Sequence, residues 1–111
     1  MGLDITFTER ETLPCPHCGE VIGTKDVDSV DSSGRSWYSI LEFLGYYVPY
    51  DKRTKENDWY GKDMILTREQ AHEVYQRIRM DIFVFYNGMG IMGLIAEALR
   101  YDNQIVINAN W

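Results

Sequence analysis

The sequence predicts an α+β fold: a small antiparallel sheet with about three helices packed on one side, completed by a Cys-x-x-Cys zinc knuckle. Three observations predict it. Apolar and polar residues alternate in "LDITF" near one end of the chain and in "QIVIN" near the other, the period-two pattern of half-buried strands. Three intervening stretches instead space their apolar residues by three and four, the period of a helix face. The segment "CPHCGE" supplies two cysteines at metal-ligand spacing. With 111 residues, 45% of them hydrophobic, the chain holds one modest core, so a single domain over residues 1–111 is expected.

In chain order, Leu3, Ile5 and Phe7 alternate with Asp4 and Thr6. "ETLPC" can return antiparallel after a turn around Glu9 and Arg10, which would bring Asp4 opposite or near Cys15. "EVIGTKDV" reads as a further strand. In "SWYSILEFLG", Trp37, Ile40, Leu41 and Leu44 define a short helix with Ser36 as N-cap and Gly45 as stop. The stretch from Gly45 to Leu66 combines aromatics with Pro, Gly and polar residues, as an ordered loop pinned by side-chain packing does.

Thr67 with Gln70 forms a capping box, and Ala71, Val74, Tyr75, Ile78 and Ile82 then make one apolar face of a helix running to about Tyr86. "NGMG" reads as a turn between helices. Ile91, Leu94, Ile95, Ala98 and Leu99 resume the helical pattern before the last strand, with Ile105 and Ile107 inward.

The net charge of −6 is unevenly placed. Residues 1–34 carry Asp4, Glu9, Glu11, Glu20, Asp26, Asp28 and Asp31 against Arg10 and Lys25, a local balance of −5. Such a segment disfavours direct binding to a phosphate backbone and favours a basic protein surface. No apolar run reaches the roughly 20 residues that span a bilayer, and the first residues lack the order of a secretory signal, so the expected setting is the cytoplasm, without membrane contact. Two histidines, no Ser/His/Asp pattern and no phosphate-binding glycine loop leave little for nucleophilic or phosphoryl chemistry, and no enzyme activity is expected.

Cys15 and Cys18 admit two chemistries. Cys-Pro-His-Cys is similar, over four residues, to the active-site motif of thioredoxin-like oxidoreductases, a chemistry that needs the first thiol at a helix N-terminus. The following Gly-Glu-Val-Ile-Gly has no helical period. Cys-Pro-x-Cys-Gly also suits a zinc knuckle, in which glycine takes a backbone angle other residues resist. A tetrahedral site wants four ligands, and Asp4 and His72 are the candidates for the remaining two, ahead of His17, Asn108 and Asn110. The expected role of zinc is structural.

Aromatic residues crowd positions 37–60, and Tyr47, Tyr50, Trp59 and Tyr60, interspersed with Lys and Arg, are candidates for a protein-binding surface. Taken together, "MGLDITF", "CPHCGE", "GYYVPYDKRTKENDWYGKDM" and "VINANW" resemble small proteins encoded by phages and prophages of Gram-positive bacteria. The chain also resembles the anti-CRISPR class, inhibitors of the type II RNA-guided nuclease of streptococci. That likeness implies a host nuclease as partner, bound without catalysis so that target-DNA loading is blocked. Asp26, Asp28 and Asp31 would steer association toward a basic channel, and Tyr47, Tyr50 and Trp59 would supply affinity. A zinc-stabilised accessory protein of phage replication or transcription and a thiol oxidoreductase are the alternatives.

Overall fold

The N-terminal strand pattern continues well past its first five residues. The structure is a computed structural model that describes residues 2–111. In it, β1 spans Asp4–Pro14 and β2 spans Val21–Ser33, paired antiparallel from Asp4↔Ser33 to Pro14↔Val21. The turn expected at Glu9 and Arg10 is therefore not there. Residues 3–13 contain no Pro, Gly or Asn to reverse the chain, whereas residues 14–19 hold two prolines and Gly19, whose φ of +77° only glycine adopts freely. Near Glu9 the ladder makes a register shift, a bulge on β2.

The final strand, β4, spans Gln104–Asn110; a two-residue strand, β3, at Met64–Ile65 precedes it in the chain. The described residues form a four-stranded antiparallel sheet in the order β2-β1-β4-β3, with β2 at an edge. β4 covers β1 only from Asp4 to Arg10, so the rest of the hairpin pairs with itself alone and projects from the sheet. The Cα radius of gyration, 14.7 Å, exceeds the roughly 13 Å of a compact chain this long, and the extents are 48 × 34 × 23 Å.

Three helices cover the face on which Leu3, Ile5 and Phe7 lie buried. Helix α1, Trp37–Phe43, buries Trp37, Ile40 and Leu41 and stops where Gly45 turns left-handed at φ +74°. Ser36 precedes it without a side-chain cap bond. Helix α2, Arg68–Met80, has both arms of the Thr67–Gln70 capping box and buries Ala71, Val74 and Ile78. It ends at Met80, not near Tyr86. Residues 82–86 are all apolar or aromatic, so no single helical face could bury them; the chain leaves the helix at Asp81 and makes a 3-10 turn over Ile82–Val84. The break lets Phe85 reach Trp37, ring centroids 4.7 Å apart.

Helix α3, Gly88–Arg100, begins inside the expected turn, with Asn87 at φ 55° as the junction. The glycines serve close packing there. A Cβ on Gly88 would stand 2.9 Å from Ile82, and one on Gly90 would stand 3.5 Å from Val30 of β2. Ile91, Leu94, Ile95 and Ala98 face the core. No helix among the described residues is long and apolar enough to cross a membrane.

Candidate functional site

Residues 15–20 form the tip of the projecting hairpin. The Cys15 amide donates to Glu20 O (2.6 Å) and the Gly19 amide to Cys15 O (2.9 Å), a closed loop that holds both cysteines on one turn. Both are unbridged, Cys15 half-buried and Cys18 exposed. The backbone amide of His17, then the amide and side chain of Cys18, favour the Cys15 thiolate and hold its pKa below the ordinary thiol value. No helix begins here, so the helix N-terminus that a thioredoxin-like site needs is missing, and the two cysteines share one tight turn between strands.

The other expected ligands lie elsewhere. Asp4 sits at the opposite end of β1 from Cys15, roughly 35 Å away at about 3.3 Å per residue, because the strand runs straight through the expected turn. It pairs with Ser33 and Asn110. His72 is exposed on α2 beside Tyr75, Gln76, Ala96 and Leu99, in the helical layer and apart from the tip. Asn108 is engaged in tying down a loop, its Nδ2 donating to Gly61 O (3.0 Å) and Asp63 Oδ1 (2.9 Å). Among the described residues, no three His, Cys, Asp or Glu side chains converge as a metal site would require. Leu13, Val21 and Ile22, all exposed, flank the cysteine loop.

Asp26, Asp28 and Asp31 are exposed along the edge strand β2. Asp26 accepts from Arg10 Nε at 3.0 Å, Asp31 from Thr6 Oγ1 at 2.7 Å, and Asp28 from the Ser29 amide at 2.8 Å. Beside this edge stands a feature that sequence reasoning missed. Met80, Phe83, Val84, Tyr86 and Met89 are all exposed at the corner between α2 and α3, Phe83 fully so at 101%. Trp37 Nε1 donates to Ser32 Oγ (2.9 Å), and that hydroxyl donates to Tyr86 O; Asn87 Nδ2 donates to Asp31 O (2.8 Å). These bonds dock the apolar corner against the acidic edge. The available signal was the length of the apolar run in "MDIFVFYNGMGIM", which exceeds what one buried helix face holds.

The proposed aromatic surface is largely an internal cluster. Tyr46 is buried, its hydroxyl donating to Lys62 O (2.6 Å) and accepting from the Ala109 amide (2.8 Å). Burial pushes that hydroxyl above its ordinary value, and the charge of Asp63 adds to the shift. Tyr47 packs on Tyr38 and Trp111, Tyr60 on Trp111, and Trp59 on Tyr46. The Arg53 guanidinium lies 5.7 Å from the Tyr47 ring centre and 5.5 Å from that of Trp111, and donates to Val48 O. Tyr47 and Trp59 are thus half-buried packing residues, while Tyr60 is exposed on one side and Tyr50 stays 87% exposed. This cluster sits at the Asp4 and Asn110 end of the sheet, away from the cysteines. No family model matches the chain, and neither a curated protein nor a solved structure matches it.

Proposed function

We propose that this chain is a non-catalytic protein inhibitor that binds a basic nucleic-acid channel, that of a type II RNA-guided nuclease, and blocks target-DNA loading. The observation that carries the reading is the junction of two surfaces: the exposed apolar corner of Phe83, Tyr86 and Met89 seated against an edge strand bearing Asp26, Asp28 and Asp31. An apolar centre with a charged rim is the composition of protein interfaces, and the sign of the rim suits a Lys- and Arg-lined partner. In that arrangement the carboxylates set the association rate and the desolvated corner sets affinity. The resemblance to anti-CRISPR proteins selects the nuclease among basic partners.

The same reading takes zinc as the ligand of Cys15 and Cys18. Two cysteines on one tight turn support it, half of the four donors a tetrahedral site takes, with backbone amides favouring the charged form of the first. Zinc there would fix the hairpin tip without taking part in any reaction.

The test is target-DNA cleavage by a guide-loaded type II nuclease with this protein added before or after the DNA. Inhibition only on prior addition is the expected outcome. Full cleavage by several such nucleases in both orders would reject the inhibitor reading and leave the accessory-protein alternative. Charge reversal at Asp26, Asp28 and Asp31 should slow association and flatten its salt dependence, and an unchanged rate at low salt would remove these residues from the interface.

A further inference from the structure

A tetrahedral zinc site needs four donors, and the tip holds two. Among the described residues no third His, Cys, Asp or Glu side chain converges with the two thiols, His17 and Glu20 of the same loop included. Asp4 is held at the far end of β1 and His72 on α2, while β4 stops covering β1 at Arg10, so no other element stands over residues 11–24. The missing donors must come from outside the chain.

We propose that two copies of this chain meet hairpin tip to hairpin tip and share one zinc ion, each copy supplying Cys15 and Cys18. This inference rests on the zinc reading above and not on the nuclease reading. Four Zn–S bonds form as four thiol protons pass to solvent, and a two-fold axis through the metal makes the donor set from one short sequence used twice.

Two further observations select a second copy as the occupant. Leu13, Val21 and Ile22 lie exposed immediately behind the cysteine loop, so a second copy arriving at the tip meets apolar side chains that otherwise face water. The charge distribution also permits it. Residues 13–22 carry Glu20 as their sole charged side chain, whereas the strongly acidic stretch lies nearer the sheet. Joining the molecules at their tips puts the two acidic bodies at opposite ends of an elongated dimer, beyond the roughly 8 Å over which charges act at physiological salt.

The experiment is a zinc titration of the reduced, metal-free full chain, followed by sedimentation velocity and native mass spectrometry. The expected result is a dimer carrying one zinc, an end point of half an equivalent per chain, and return to monomer with EDTA but not with a thiol reductant. Cobalt in place of zinc should give the intense thiolate-to-metal absorption of a four-sulfur site. Cys18→Ser should abolish metal uptake and dimer together with an unchanged circular dichroism spectrum, since the tip lies outside the core. Leu13→Ser with Ile22→Ser should weaken the zinc-loaded dimer about tenfold or more. One zinc per monomer would overturn the sharing and keep the zinc reading. No zinc uptake would overturn both, and a dimer reversed by reductant alone would identify a disulfide instead.

Discussion

Residues 46–60 and residues 80–89 are both dense in large apolar side chains, yet Tyr46, Tyr47 and Trp59 of the first pack inward while Phe83, Val84 and Tyr86 of the second face out. The difference lies in what each is tied to. In the first, Tyr46 places a buried hydroxyl between Lys62 and Ala109, and Trp111 returns from the chain end to meet Tyr46, Tyr47 and Tyr60. In the second, Phe85 enters the core against Trp37, and its neighbours Phe83, Val84 and Tyr86 are left outside. Aromatic density by itself therefore does not distinguish packing from recognition; the partners available from distant sequence do.

The most severe way to break the comparison is Trp37→Ala. Trp37 touches Phe7 and Phe85 and bonds to Ser32, so its loss removes the support of the outer corner as well as core volume; we expect about 3–5 kcal/mol of destabilisation in urea melts. Ser32→Ala is next. It deprives both the Trp37 indole and Tyr86 O of a partner, and should cost about 1–3 kcal/mol while raising amide exchange over residues 82–89 selectively.

Tyr46→Phe probes the inward cluster. It should cost about 1–2 kcal/mol at neutral pH. Because burial raises the folded-state pKa of this hydroxyl above the unfolded value near 10, its contribution is complete below pH 10 and is lost as pH rises through the folded value. The wild type should lose stability in that range more steeply than the variant, by thermal melts from pH 8 to 11. Phe83→Ser is the mildest for the fold and the sharpest for function: no more than about 0.5 kcal/mol of stability change, with at least tenfold weaker nuclease inhibition. Equal inhibition by this variant would return the corner to plain surface.

What the sequence made legible was local. The capping box at Thr67 and Gln70, the alternation of Leu3, Ile5 and Phe7, and the stop at Gly45 each depend on contacts within a few residues, and each stands as expected. The length of the hairpin did not follow from such rules. β1 could have ended at Glu9; it continues because β2 stays paired with it, across register shifts after Glu9 and after Leu13, as far as the proline and glycine turn. The end of α2 was hidden for a related reason: Ile82 fits the helical stripe, but the pull of Phe85 toward Trp37 outweighs it. The metal candidates Asp4 and His72 failed with the short hairpin on which the first depended and with the orientation of α2 that settled the second. That the two cysteines share a tight turn was legible, because the turn is set by its own prolines and Gly19.

The outer edge of β2, beyond the part that residues 86–90 pack against, carries a hazard of its own. β2 is thirteen residues long, and those of its backbone donors and acceptors that point away from β1 are a template on which further strands could add, the route to fibrous aggregation. The aspartates that we assign to steering also guard this edge: an approaching β2 of another molecule would align carboxylates with carboxylates, and the bulge near Glu9 breaks the flat register that stacking needs. Residues 21–24 bear no charge, so the guarded part of the strand is its inner length and the unguarded part is the end beside the cysteines. Neutralising the aspartates would thus trade a guarded edge for a sticky one, whatever partner the chain serves.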